Sequence, residues 1–219
     1  MSSKPITTDK LPKNILKNIF SFPPNRDTLG GTAYLIVENI GNILIDSPNL
    51  DEASENFLHS QGGISHLYIT HRGAIGKAAA IQKKFDCKII IQEQEAYLLP
   101  NLTVKTFQEK FTLNIQTELI WTPGHSPGSS CLYYHDNGGV LFTGRHLLPL
   151  ANSTLLPLRT ATTFHWYRQI KSVDSLKNNF TKENLNYICP GAYTGYLRGK
   201  GYIDNAYERL SNIDLKNID

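Results

Sequence analysis

Two histidines in this sequence stand where a side chain could do chemistry. His71 follows the apolar run ISHLYIT, and His125 lies in the segment TPGHSPG, where Pro123 and Pro127 restrict the backbone. Imidazole nitrogen is one of the ligands that zinc prefers, and a bound zinc ion activates water for hydrolysis. A catalytic zinc takes about three protein ligands, so this pair alone predicts an incomplete metal site.

The residues after His71 supply none of the missing ligands. The run is Arg72, Gly73, Ala74, Ile75, Gly76 and Lys77. A shift of register would not help, because the segment from Ala74 to Ala80 contains no histidine, cysteine, aspartate or glutamate. The segment therefore predicts either a site that has lost its metal or one that binds it in another way.

The order of the loop motifs carries more information than any single motif. GNILIDSP comes first, then the strand that ends at His71, then TPGHSPGSSCLYY, VLFTGRHL and YICPGAYTG. In this order they resemble the signatures of the metallo-β-lactamase superfamily, THxHxDH, TPGHTPGS, LFTGD and a final PGH, from about residue 30 to residue 210. The resemblance implies an α/β fold, a four-layer αββα sandwich built as one domain over residues 1–219. Its active site would lie at one edge, between the two sheets.

Carried over residue by residue, the resemblance leaves His71 and His125 as the ligands of a residual partial metal site. Five of the seven family ligands are replaced, by Gly73, Ile75, Gly76, Arg145 and Ala192. Arg145 stands where the family has the aspartate that bridges two zinc ions. A guanidinium is permanently charged and would repel zinc at that position. We therefore expect no cofactor, with partial occupancy by zinc left open.

The same positions predict a pocket with a cationic lining. The residues expected to line it are His71, Arg72, Asp46, His125, Arg145 and Tyr193. Arg198 and Lys200 of the loop GYLRGKG would add to its positive charge. Guanidinium groups bind carboxylates and phosphates through charge-assisted hydrogen bonds, so the expected partner is a small anionic molecule. From the position of the family's second-strand aspartate, we also expect Asp46 to form a buried ion pair with Arg145.

Two functional hypotheses follow, and the sequence leaves open whether the chain is an enzyme. The first is a protein with a degenerate di-zinc site that binds a ligand without hydrolysing it. The alternative is an active hydrolase, similar to glyoxalase II or a thioesterase, whose single atypical metal is held by His71, His125 and a third ligand. Further candidates for that ligand are His146, His165 and Cys189.

Composition argues against several other classes of protein. The 219 residues have a formal net charge of +3, and the basic residues form no block that would bind nucleic acid. No apolar run is long enough to span a membrane, and the N-terminal sequence lacks the apolar stretch of a secretory signal. Cys87, Cys131 and Cys189 lie in apolar runs, as expected for buried reduced thiols. We therefore expect a cytoplasmic protein without nucleic-acid or membrane partners.

The elements that must position these residues mix strands with helices. Hydrophobic periodicity predicts a hairpin of residues 33–37 and 42–46, and strands over 64–70, 87–92, 116–123, 129–136, 138–144 and 185–191. Helices are predicted over residues 50–61, 74–85, 162–180 and 202–213. Two blocks of strands, each with helices interspersed, indicate one α/β domain whose sheets are covered by helices.

Overall fold

A seven-stranded sheet occupies the first half of the chain in the computed structural model, which describes residues 10–151 and 154–218. Its strands, in chain order and in sheet order, are β1 (Lys13–Leu16), β2 (Ile19–Ser21), β3 (Tyr34–Ile36), β4 (Ile43–Ile45), β5 (His66–Ile69), β6 (Lys88–Gln92) and β7 (Val104–Phe107). Strands β1 to β4 pair antiparallel, whereas β4 to β7 pair in parallel. The carboxyl ends of β4, β5 and β6 therefore meet at one edge of the sheet.

A six-stranded sheet and a separate two-stranded sheet occupy the second half. The strands are β8 (Lys110–Asn114), β9 (Thr117–Trp121), β10 (Ser130–Tyr134), β11 (Val140–Gly144), β12 (Leu148–Pro149), β13 (Leu155–Leu156), β14 (Tyr187–Pro190) and β15 (Ile203–Asp204). Strands β12 and β13 pair with each other, and the larger sheet has the order β15-β14-β11-β10-β9-β8. Strands β11 and β14 pair in parallel, so their carboxyl ends also lie side by side.

Four α-helices lie in the described ranges: α1 (Glu52–Ser60), α2 (Ala78–Phe85), α3 (Trp166–Asn179) and α4 (Ala206–Ser211). The N-cap of α1 is Asp51, whose side chain accepts a hydrogen bond from Ser54 N, as is typical of an aspartate in this position. None of these helices has the length and hydropathy that a bilayer span requires.

Alternating side chains divide the interior into three apolar layers. In β5, Leu67 packs with Leu58 of α1 and Ile81 of α2 on the outer face of the first sheet. The next residue, Tyr68, points the other way and packs between the two sheets with Phe142 of β11. The outer face of the second sheet packs against α3 and α4. Helices thus cover both outer faces, and the predicted four-layer αββα sandwich is confirmed.

Several predicted bounds differ from those observed. Helix α2 begins at Ala78 because residues 72–74 form a short 3-10 helix and Gly76 has a φ of +45°. The predicted helix over residues 202–213 keeps only Ala206–Ser211, since Ile203–Asp204 pair with β14 as a strand. Strands β1, β2, β7 and β8 were not predicted. The segments of β1, β2 and β7 lack a clear alternation of buried and exposed side chains, whereas KFTLN of β8 does alternate and was overlooked.

Candidate functional site

Loops from both sheets converge at one edge of the sandwich. Thr70 and His71 follow β5, and the Thr70 carbonyl accepts a hydrogen bond of 2.9 Å from Ser130 N at the start of β10. In the second sheet, the carbonyl of Gly144 at the end of β11 accepts a hydrogen bond of 2.7 Å from the backbone N–H of Gly191, which lies just after β14. These contacts bring together the loops after β5, β11 and β14 and the loop between β9 and β10.

His71 and His125 lie together at this edge. Their ring centroids are 5.1 Å apart with an interplanar angle of 74°, and the residues are 4% and 6% exposed. The loop of His125 packs directly on the first turn of α3, where a Cβ on Gly124 would lie 2.3 Å from Gln169 N. Glycine is therefore required at this position, and the close contact fixes the loop against the helix.

Asp46, Thr70 and His71 form a chain of hydrogen bonds beneath the pair. Asp46 Oδ1 accepts from Thr70 N and Asp46 Oδ2 accepts from Thr70 Oγ1, both at 2.8 Å. The same Thr70 Oγ1 lies 2.9 Å from His71 Nδ1. On the far side of the ring, His71 Nε2 is buried and has no partner among the described residues. Burial raises the pKa of Asp46 to about 7, although the Thr70 hydrogen bonds and the Arg145 charge act against this rise.

Arg145 follows β11 and is held by carbonyl groups. Its Nη2 donates to the carbonyl oxygen of Leu29 at 2.7 Å and to that of Thr28 at 3.2 Å. Within residues 10–151 and 154–218, it forms no ion pair with an acidic side chain. The predicted ion pair between Asp46 and Arg145 is therefore wrong: Arg145 donates to the carbonyls of Thr28 and Leu29, and the Asp46 oxygens accept from Thr70.

Arg72 has a different partner, which the sequence interpretation missed. This partner is Glu95, which lies in the short helix after β6 and is 0% exposed. Its Oε1 lies 3.3 Å from Arg72 Nε and accepts a hydrogen bond of 3.2 Å from Gly128 N. It thereby ties the residue after His71 to the loop that contains His125. Its segment, EQEAYL, contains two acidic residues, and nothing in that local pattern indicates burial. Its position directly after a buried strand was the available signal.

The three further ligand candidates are placed differently. His165 caps α3 by accepting a hydrogen bond of 3.3 Å from Arg168 N. Cys189 is buried in the layer between the sheets, where burial raises the pKa of its thiol. His146 is 1% exposed with neither ring nitrogen partnered in the described chain, and burial together with the neighbouring His125 lowers its pKa to about 3.

The loop after β14 contributes less than predicted. Tyr193 is 45% exposed and stacks on Tyr196, with ring centroids 6.4 Å apart, and it influences the pKa of Arg145 electrostatically. Lys200 instead forms an ion pair with Asp204, so its charge is already met. Arg198 is exposed to solvent.

Both site histidines are neutral at neutral pH. Burial lowers the pKa of His71 well below its usual value, and the His125 ring and the charges of Arg145 and Arg72 lower it further. The pKa of His125 is lowered to about 4, mainly by burial and then by the charges of Arg145 and Arg72. A neutral imidazole has one donor and one acceptor nitrogen, and the acceptor can bind a metal or a hydrogen-bond donor.

The donor set around these histidines does not fit a catalytic zinc. In the described part of the chain, no group of three or more histidine, cysteine, aspartate or glutamate side chains is arranged to hold a metal ion. Two imidazoles fall short of the three protein ligands that a catalytic zinc usually has. Arg72 and Arg145 add positive charge beside them. These residues offer hydrogen-bonding groups and two guanidinium charges.

Comparison with known proteins bears on the fold. No protein-family model and no curated protein matches the sequence. Among solved structures, the DIM-1 metallo-β-lactamase is 14% identical with a TM-score of 0.67, over 91% of this chain and 94% of that one. This chain has the metallo-β-lactamase fold.

Other structures with this fold give the same result. The metallo-β-lactamase family protein TTHA1429 from Thermus thermophilus is 16% identical with a TM-score of 0.64, over 90% of this chain and 78% of that one. A mutant of AiiA from B. thuringiensis with N-decanoyl-L-homoserine bound at its active site is 19% identical with a TM-score of 0.61, over 79% and 92%. At these identities the likeness establishes the fold and not the activity.

Proposed function

We propose that this metallo-β-lactamase-fold protein has a degenerate di-zinc site, binds a small anion there and does not hydrolyse esters, thioesters or β-lactams. The observation that carries the proposal is Arg145, a permanent cation at the position of the family's bridging aspartate. No acidic side chain in the described ranges pairs with it. A half-buried guanidinium with no acidic side chain at ion-pair distance favours an anionic ligand.

Arg145 retains donors for such a ligand. Its hydrogen bonds to Thr28 and Leu29 both use Nη2, which leaves Nε and Nη1 without partners in the described chain. Tyr193 lies close enough to influence the Arg145 pKa, and its exposed phenol is a further donor. A carboxylate or phosphate would meet a full positive charge and several hydrogen-bond donors at this edge.

Metal analysis and anion binding together test the proposal. Protein purified without added zinc should contain less than about a third of an equivalent of zinc, iron or manganese, because two imidazoles hold a catalytic metal poorly. Acetate or inorganic phosphate should raise the unfolding temperature, since a ligand that binds only the native state stabilises it. Arg145→Gln should abolish this rise. Lys88→Gln, which removes a charge at the exposed start of β6, should leave it unchanged.

The competing candidate is a hydrolase with a single zinc. The neutral, buried pair of His71 and His125 favours it, because His71 Nε2 lacks a partner in the described chain. Stoichiometric zinc that His125→Ala releases, together with thioester or ester hydrolysis that disappears in His71→Ala, would establish this alternative and refute the first proposal.

We also propose that the protein acts in the cytoplasm without nucleic-acid or membrane partners. Cys87, Cys131 and Cys189 are buried and form no disulfide, which is typical of a reducing compartment. Cell fractionation with an antibody against the native chain tests this. Recovery in an oxidising compartment or with membranes would contradict it.

A further inference from the structure

A cavity of about 710 Å³ lies between the first described residues and the loop after β14. Its walls come from three parts of the chain: residues 10–13, residues 21–24 with Thr32, and the loop 194–201. Sites for small molecules usually have volumes of roughly 300–1,000 Å³, so this cavity has the size of a ligand site. It is separate from the histidine pair, because neither histidine nor Arg145 lines it.

The loop after β14 is fixed against the first sheet, which gives the cavity defined walls. Thr32 Oγ1 lies 2.9 Å from Thr194 Oγ1, and Thr32 N donates to the carbonyl of Gly191 at 2.8 Å. Further along the loop, Gly201 packs against β1, where a Cβ on this glycine would lie 2.7 Å from Ile15 Cγ2. The cavity is therefore formed by the fold itself and does not need a ligand to open it.

Most of the side chains in the lining are apolar. They are Leu11, Pro12, Phe22, Pro23 and Pro24. Proline has a restricted φ and no N–H group, so these walls are stiff and offer few hydrogen bonds. Phe22 allows a stacked or edge-to-face contact with an aromatic ring, and a rigid ring loses less conformational freedom on binding than a flexible chain. The apolar part of the lining therefore favours a flat ring system.

The charged side chains of the lining are both positive. Lys10 and Lys13 line the cavity, and no acidic side chain of the described residues does. Neither lysine has an ion-pair partner in the part of the chain that the structure describes. A negative group on the ligand would complement this charge. Since both lysines are exposed, the attraction is modest and weakens with salt.

We infer that this cavity binds an aromatic carboxylic acid. The ring system lies against Phe22 and the prolines, and the carboxylate lies towards Lys10 and Lys13. Burial of the ring supplies most of the affinity, and the two lysines select the acid over a neutral compound of the same shape. The inference goes beyond the proposed function and does not rest on it, because the cavity contains none of the residues that the proposed function uses.

The probes 2-naphthoate and 2-naphthol test the inference, because they share one ring system and differ in charge at neutral pH. In NMR titrations of the wild-type protein, 2-naphthoate should shift the amide signals of Gly195, Gly199 and Gly201 and bind about fivefold more tightly than 2-naphthol. Lys13→Gln should weaken 2-naphthoate binding about threefold and leave 2-naphthol binding unchanged. Lys17→Gln is the matched control, since Lys17 is exposed beyond β1 and does not line the cavity.

A substitution at Gly195 tests the cavity by filling it. Gly195 lines the cavity, its φ is not positive, and a Cβ there would meet no atom within 4 Å. Gly195→Leu should therefore be accommodated without strain and should weaken 2-naphthoate binding at least about tenfold, because the added side chain takes up ligand volume. If this variant does not fold, the amide shifts in the wild-type protein still locate the ligand.

The outcomes separate this inference from the proposed function. Shifts confined to Gly73 and Gly144, with binding lost in Arg145→Gln and kept in Gly195→Leu, would place the acid at the histidine pair, which overturns the inference and supports the proposed function. Equal affinities for 2-naphthoate and 2-naphthol would overturn the requirement for an anion. If 2-naphthoate does not bind at all, the inference fails, whereas the proposed function still stands or falls on acetate and phosphate.

Discussion

Arg72 and Arg145 both bring positive charge to the histidine pair, but the two charges are met in different ways. Arg72 Nε lies 3.3 Å from the carboxylate of the fully buried Glu95. Arg145 donates instead to two backbone carbonyls, of which that of Leu29 is the nearer. A guanidinium held by a buried carboxylate is part of the framework, whereas one held by carbonyl groups keeps its charge for a ligand. The counter-charge thus distinguishes a structural cation from a binding cation.

The largest expected effect comes from removing the structural cation. Arg72→Met should lower the free energy of unfolding by about 3–5 kcal/mol, because it leaves the Glu95 carboxylate buried without a counter-charge. Urea denaturation measures this loss. The double variant Arg72→Met/Glu95→Gln, which removes both charges, should recover most of it. A loss below about 1 kcal/mol for the single variant would show that Glu95 does not need Arg72.

The second largest expected effect is the loss of folding stability at acid pH. The pKa of His146 is about 3 in the folded protein, against about 6.5 for an unfolded histidine, so the unfolded state binds more protons between these values. Stability is then full above pH 6.5 and falls as the pH drops. The protonation of His146 alone should lower the free energy of unfolding by on the order of 3 kcal/mol by about pH 4. His125, with a pKa of about 4, acts in the same direction.

The raised pKa of Asp46 opposes this acid loss in part, since the folded state takes up its proton first as the pH falls from about 7. Urea midpoints at neutral pH and at about pH 4.5 measure the net change. His146→Leu should flatten the pH dependence relative to wild type, whatever its effect on stability at neutral pH. An unchanged slope would show that His146 is not buried in its neutral form.

The fold could be predicted because several independent signals agreed. Each loop motif lies at the end of a strand, and alternating residues such as Leu67 and Tyr68 already separate the two faces of a sheet. The proximity of His71 and His125 follows from this topology. The short edge strand β1 was missed because its burial depends on neighbouring elements and not on its own periodicity, whereas β8 was missed although its residues alternate.

The charge partners could not be predicted in the same way. Asp46 and Arg145 are near in the fold, but the nearer donors of Thr70 occupy both oxygens of the carboxylate. Glu95 lies in a polar segment, and nothing in its local pattern indicates that it is fully buried. Pairing at hydrogen-bond distance depends on backbone positions that motif order fixes only approximately. The convergence of these loops was therefore predictable and their hydrogen bonds were not.

Removing Arg145, the binding cation, should change the free energy of unfolding far less than removing Arg72 does. Arg145→Gln should lower the free energy of unfolding by about 1 kcal/mol, because it loses hydrogen bonds to two backbone carbonyls, of which the nearer one, that of Leu29, is exposed. Urea denaturation beside Arg72→Met gives the comparison directly. A loss as large as that of Arg72→Met would mean that Arg145 is also a framework residue, and the distinction between the two arginines would fail.

The smallest expected effect is on the pKa of His125. Burial is the main reason that this pKa is low and persists in every variant, whereas the charge of Arg145 contributes next and that of Arg72 after it. Arg145→Gln removes a positive charge that has no acidic side chain at ion-pair distance in the described ranges, so the pKa should rise by about a few tenths of a unit. The double variant Arg72→Met/Glu95→Gln removes the smaller contribution of Arg72, so it should raise the pKa less than Arg145→Gln does. Proton NMR of the histidines, followed down to the acid limit of the fold, compares both variants with wild type. A larger rise in the double variant would show that the Arg72 charge acts on His125 more strongly than the Arg145 charge, which contradicts the division into structural and binding cations.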